Sequence, residues 1–171
     1  MSRRKPTHQE LLDRIAILES HVVRLSTNQL GCLTRPALEL FLESINDRLY
    51  DQSSELVFVG WDIDSMKTAN TTYGEPSTNA RLYRSYDPIL QHDAIGTVWS
   101  GDEYIAVVSS SDAIGFAQRM QDNLHTNDLS ATFVIIDPRD YADWNEAIDE
   151  QRVLCGQHKA ADERNSIHDH R

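Results

Sequence analysis

The chain has 171 residues and a formal net charge of −11, with 27 acidic against 16 basic side chains. That balance argues against a nucleic-acid polymer or an anionic membrane as partner, yet leaves a mononucleotide open, because a bound divalent cation inverts the local field. The length suits one domain with a real core, and no apolar run reaches the length of a membrane span.

Two cysteines, Cys32 and Cys155, lie far apart and form no metal-ligand pattern. They read as buried thiols in a reducing compartment. The start, Met-Ser-Arg-Arg-Lys-Pro, is basic but lacks the apolar segment of a signal peptide. A cytoplasmic protein is expected.

From about His8 the pattern predicts a helix. Leu11, Ile15, Leu18, Val22 and Leu25 alternate four and three residues apart, which lays one apolar stripe along it. The stripe either packs on its own domain or pairs two chains as a short parallel coiled coil; pairing is the favoured reading. Gly31 to Arg35 forms a turn, and Pro36 suits the first turn of a helix. Ala37, Leu38, Phe41, Leu42, Ile45 and Leu49 give that helix its apolar face, to about Tyr50. Glu55 to Trp61 is nearly all apolar and predicts a central strand. Thr71 to Thr78 reads as a loop, because Gly74, Pro76 and Ser77 break any period.

A helix follows over about 79–90, with Leu82, Tyr83 and Tyr86 on one face. A β-hairpin is predicted over 94–109, since β-branched and aromatic runs flank a polar turn containing Gly101. Ser111 or Asp112 caps a helix to about Leu124. Leu129 to Ile136 is a strand, Pro138 breaks it, and a last helix spans about Tyr141 to Cys155. Beyond Gly156 the chain is charged and rich in histidine. His158, His168 and His170 are potential metal ligands, but the reading here is a solvated, disordered tail.

The order β-α-β-β-α-β is a ferredoxin-like split βαβ plan in the α/β (α+β) class. Three parts are expected: a dimerisation helix over 1–29, a catalytic-type domain over 30–157, and the tail over 158–171.

Two acidic clusters stand out. Asp62-Ile63-Asp64 ends the first strand, and Ser100-Gly101-Asp102-Glu103-Tyr104 forms the hairpin tip. Carboxylates at strand ends suit hard cations such as Mg²⁺, which takes one or two carboxylates plus nucleotide phosphates. The tip resembles the Gly-Gly-Asp/Glu-Glu-Phe signature of the diguanylate cyclases, the GGDEF family. The stretch Asp62 to Gly74 resembles that family's Asp-x-Asp-x-x-Lys-x-x-Asn-Asp-x-x-Gly segment, and Gly31 and Arg35 match its Leu-Thr-Gly-Leu-x-Asn-Arg turn. The resemblance covers about residues 30–156.

The resemblance implies a palm-type nucleotidyl cyclase with a mixed, largely antiparallel sheet, preceded by a coiled-coil helix. It implies Mg²⁺, or Mn²⁺, held by Asp62, the carbonyl of Ile63, Asp102 and Glu103, with Asp102 and Glu103 as the catalytic acids. It places the phosphates on the backbone of Ser65, Met66 and Lys67 and on Arg152, and the base on Asn70 and Asn79. Ser100 and Gly101 line the close approach of substrate. Asp64 is expected to point away from Asp62 and to act as a structural acceptor.

The implied activity joins two nucleoside triphosphates into a cyclic dinucleotide, either cyclic di-GMP or a mixed one. Two chains would meet as a homodimer, each supplying half an active site. GTP is the expected substrate. Asn79 stands where the family has an acid, and an amide offers one acceptor and two donors, so ATP is admitted as well. The alternative is a catalytically degenerate regulatory domain that binds a nucleotide or a protein partner. Four departures favour it: Asn79, Ser100, the missing Asp near Thr27, and an Arg position that falls on Gly156 or Gln157. The family's product-inhibition Arg-x-x-Asp falls on Gln91 and Ala94, which predicts no feedback site.

Overall fold

The computed structural model describes residues 32–86 and 94–171. The predicted N-terminal helix, with Leu11, Ile15, Leu18, Val22 and Leu25, lies outside them, as does Gln91.

Five strands form one sheet in the order β2-β3-β1-β4-β5. They are β1 (Leu56–Ile63), β2 (Ile95–Ser100), β3 (Glu103–Ser109), β4 (Ala131–Ile136) and β5 (Ile167–Asp169). β1 is central and runs antiparallel to both β3 and β4; β5 is parallel to β4. This is the expected split βαβ plan with an added edge strand.

Period-two alternation sorts the strand residues between two helical layers. Val57, Val59, Trp61 and Ile63 of β1 face one layer with Tyr104, Ala106, Phe133 and Ile135. That layer contains α3 (Met66–Tyr73), α4 (Glu75–Ser85) and α5 (Ala113–Thr126), and its deepest side chains include Phe116, Met120 and Leu124. Phe58, Ile105, Val107, Val134 and Ile136 face the other layer. There lie α1 (Arg35–Ser44), the short α2 (Asn46–Leu49) and α6 (Trp144–Ala160). Trp61 sits at the centre of the first core, stacked on Tyr104 with centroids 5.4 Å apart.

Three expectations are corrected. Thr71 to Thr78 is not a loop: Gly74 takes φ +79 and joins α3 to α4, and Pro76 sits in the first turn of α4. The breakers end one helix and start the next. The last helix starts later and runs further than predicted. Asp143 caps it by accepting from the N–H groups of Asn145 and Glu146, both at 2.9 Å. It then continues through Gly156, since a helical Gly costs only about 1 kcal/mol, to Ala160. The segment past Gly156 is ordered rather than a solvated tail, because β5 docks on β4, pairing Phe133 with Ile167 and Val134 with His168.

Gly60 explains how α6 lies so close to the sheet. A Cβ there would meet the Gln151 side chain at 1.9 Å. Gln151 is itself buried and reaches Cys155 Sγ at 3.2 Å. Among the described residues no helix is long and apolar enough to cross a membrane.

Candidate functional site

The sheet brings the two acidic motifs together. The antiparallel register of β1 and β3 sets Asp62 opposite Glu103. The Ile63 N–H donates to the Asp102 carbonyl at 3.1 Å. The turn between β2 and β3 is two residues, Gly101 and Asp102, and Gly101 takes φ +60. A side chain there would strain the turn, which is why glycine serves. Ser100 ends β2 opposite Glu103 and is exposed.

α6 lays two cations across these acids. Arg152 donates from Nε to Glu103 Oε2 at 2.9 Å and from Nη2 to Oε1 at 3.3 Å. Such a two-point pair fixes the carboxylate plane as well as its charge. One turn beyond Cys155, Lys159 Nζ lies 2.7 Å from Asp62 Oδ1 and donates to the Ile63 carbonyl at 3.0 Å. Burial pushes the Asp62 carboxyl above its usual range; Lys159 pulls it back, and the neighbouring charges of Asp102 and Glu103 push it up again.

Asp64 does not point away from Asp62. Residues two apart on a strand share a face, and Lys159 Nζ reaches Asp64 Oδ1 at 3.4 Å. Its expected part as a structural acceptor is visible in its partners. Asp64 takes a hydrogen bond from Thr132 Oγ1 at 3.0 Å and another from the Asn165 N–H at 2.9 Å.

Beside the hairpin opens a cavity of about 830 Å³, lined by Met66, Asn79, Tyr83, Arg84, Gly101 and Tyr104 among others. Its size and mixed lining suit a small-molecule ligand. Arg35 borders it, with its guanidinium 4.1 Å from the Trp99 ring centroid. Asn79 and Tyr83 stand one turn apart on α4, so an amide and an aromatic ring present themselves to one ligand. Asn70, on α3, keeps a buried Oδ1 with no hydrogen-bond partner, a group that calls for a donor. Ser65 caps α3 in the left-handed region, at φ 55, and Lys67, the second residue of the helix, is exposed.

No protein-family model matches the chain, and no curated protein matches it in sequence. Solved structures do resemble it. The coiled coil and GGDEF domain of DgcB from Caulobacter crescentus, in complex with c-di-GMP, gives a TM-score of 0.74 at 13% identity, covering 94% of each chain. The diguanylate cyclase SiaD from Pseudomonas aeruginosa, solved with its activator SiaC, gives 0.70 at 14% identity, over 94% of this chain and 68% of that one. A sensory box/GGDEF family protein from Caulobacter crescentus CB15 gives 0.66 at 19% identity, over 80% and 99%. The chain has the fold of a GGDEF domain.

Within this GGDEF fold, Asp62, Ile63, Asp102, Glu103 and Arg152 converge at one end of the sheet, while Met66, Asn79 and Gly101 line the adjoining cavity. Ser65 borders a separate hollow beside Asp64 and Thr68. The residue that sequence reasoning missed is Lys159. A signal for it existed: Ile148, Gln151 and Cys155 are buried along one face of α6, and one further turn along that face arrives at Lys159. Ending the helix at Gly156 hid it.

The residues present fit a hard divalent ion. Asp62 Oδ1 and the Ile63 carbonyl are both oxygen donors, and a cation already bridges them, the ammonium of Lys159. An all-oxygen set of this kind suits Mg²⁺ or Mn²⁺.

Proposed function

We propose that the protein is a divergent member of the GGDEF family. On this reading it is a Mg²⁺- or Mn²⁺-dependent nucleotidyl cyclase that joins two nucleoside triphosphates into a cyclic dinucleotide. The observation that carries it is the convergence of Asp62, the Ile63 backbone, Asp102 and Glu103 at one end of the sheet, where Asp62 lies opposite Glu103 and the Ile63 N–H donates to the Asp102 carbonyl. Such a centre would hold an ion that neutralises phosphate charge while a 3′-hydroxyl displaces pyrophosphate from an α-phosphorus. Asp62, Ile63 and Asp102 would hold that ion, and Glu103 would stand beside the attacking hydroxyl. Arg152, and Lys159 once the ion takes its place on Asp62 and Ile63, would offer positive charge to the triphosphate, with the α3 backbone at Ser65, Met66 and Lys67. Asn70 and Asn79 read the base, and Asn79, an amide, accepts GTP and also ATP.

Each chain holds one nucleotide, so two must face each other. The stripe of Leu11, Ile15, Leu18, Val22 and Leu25 would pair them and raise the effective concentration of the second half-site. Buried thiols at Cys32 and Cys155 and nucleoside triphosphate substrates both fit the cytoplasm.

A second reading has its own observation. Both key acids are already neutralised from within, Glu103 by Arg152 and Asp62 by Lys159. A regulatory domain that binds a nucleotide or partner without turnover would look the same. The deciding experiment incubates the protein with Mg²⁺ or Mn²⁺ and each nucleoside triphosphate, singly and in pairs, and identifies products by mass. A cyclic dinucleotide that disappears in Asp102→Ala establishes the cyclase. No product from a folded dimer overturns the cyclase and leaves the regulatory reading.

A further inference from the structure

The histidines beyond Gly156 are gathered rather than scattered. His158 lies in the last turns of α6 and His168 lies on β5. Their rings stack, with centroids 3.4 Å apart and planes 7° from parallel. Glu163, in the connecting loop, brings Oε2 to 2.6 Å from His158 Nδ1. One donor atom from each of His158, Glu163 and His168 lies within 4.8 Å of the other two. On its other side, His158 Nε2 lies 3.0 Å from His170 Nε2.

We propose that His158, Glu163 and His168 form a binding site for a divalent transition ion of the zinc class, separate from the acidic centre. Two imidazoles and a carboxylate, with water in the fourth position, are a familiar ligand set for Zn²⁺. Imidazole favours this class of ion, whereas the all-oxygen centre at Asp62 favours Mg²⁺ or Mn²⁺. The two sites therefore sort their metals by ligand chemistry.

The surroundings also fit. A ligating histidine is oriented by a hydrogen bond at its other ring nitrogen. His170 does this for His158 at Nε2, which leaves Nδ1 for the metal. Ser166 Oγ, 2.6 Å from His168 Nε2, steadies the second ring. Metal–ligand bonds near 2.0–2.1 Å place neighbouring ligand atoms roughly 3.3 Å apart. Parallel rings cannot both aim an in-plane lone pair at one ion, so the half-buried His168 ring must turn out of the stack to bring its Nδ1 to the metal. The contact between His158 and Glu163 must also open slightly, and Glu163, with its side chain 52% exposed, is free to move.

An ion here ties the end of α6 to β5. Lys159 is the next residue after His158, and Asn165 of the same loop donates to Asp64. The metal would therefore hold in place the segment that carries Lys159 to Asp62. It acts as a staple, and its binding free energy adds to the stability of the folded chain.

The test uses the full chain, stripped with chelator and titrated with Zn²⁺ by calorimetry in excess Mg²⁺. One equivalent should bind and raise the unfolding midpoint. His168→Ala and Glu163→Gln should each lose this binding and the rise in midpoint. His170→Ala should keep the site but weaken it about 10–100-fold, as expected for an orienting partner. Glu163 and His168 lie at the surface, and circular dichroism of the metal-free variants checks that they fold. The proposal is overturned if the wild type binds no Zn²⁺. It is equally overturned if His168→Ala and Glu163→Gln bind as well as wild type, since the ion would then sit on His8, His21, His92 or His125. No outcome depends on nucleotide turnover, so failure here leaves the cyclase reading untouched.

Discussion

The ammonium of Lys159 lies 2.7 Å from the carboxylate of Asp62, although the two are ninety-seven positions apart in the chain. α6 and β1 meet there, and the contact ties the last helix to the acidic centre. Replacing the lysine leaves Asp62 and Asp64 facing each other without that cation. Lys159→Met should lower stability by about 1–3 kcal/mol and weaken triphosphate binding by about tenfold or more. Chemical denaturation and titration with a fluorescent nucleotide measure the two effects.

Asp62 carries the opposite trade. Burial raises its carboxyl pKa despite the lysine, so its surroundings oppose the charge at neutral pH. The sign follows from linkage: a carboxyl with a raised folded pKa favours the fold while protonated and ceases to do so as pH rises through that pKa. Asp62→Asn should therefore raise the unfolding midpoint of the metal-free protein at pH 7 while abolishing product formation. A lowered midpoint would show that Lys159 outweighs burial.

Base choice should rest on Asn79. It lines the cavity with Tyr83, and an amide serves either purine. Asn79→Asp presents acceptors alone, which suits the N1–H and amino donors of guanine and leaves adenine's N1, an acceptor, facing an acceptor. The variant should favour GTP over ATP by about tenfold or more, since each unpaired buried group costs about 1–3 kcal/mol. Competition between the two nucleotides, read by mass, reports the ratio.

Gly60→Ala tests the packing of α6. The new methyl must displace the buried Gln151 side chain, at a cost of about 1–3 kcal/mol. Because Arg152 follows Gln151 directly, nucleotide binding should fall as well. Adding Gln151→Ala should recover most of the stability, and a double-mutant cycle by urea unfolding measures the coupling.

Acid stability should depend on Asp137. Its side chain accepts from the Arg139 N–H and from Arg139 Nε, both at 2.9 Å. The hydrogen-bonded guanidinium holds the Asp137 carboxyl below its usual value of 3.8. A lowered folded pKa means the contribution is present above 3.8 and is lost as pH falls through the folded value. Below pH 3.8, Asp137→Asn should flatten part of the fall in unfolding midpoint.

The sequence by itself determined β1 to β4, the hairpin and the acidic motifs. The apolar run Glu55–Trp61, the turn residues at Gly101 and the spacing of Phe116, Met120 and Leu124 are local patterns with a local cause. Helix ends were less legible, because Gly74, Pro76 and Gly156 act as stops or as joints depending on what packs around them. Only the tertiary structure decided that Asp62 meets Glu103, since register is a property of two strands. It alone set Lys159 and Arg152 over the acids, through a helix that must pass close above Gly60. It also turned a run of charged, His-rich residues into an edge strand. The backbone of Ile167, His168 and Asp169 is paired as a strand by the open edge of β4, and a three-residue strand leaves no periodic trace in a sequence.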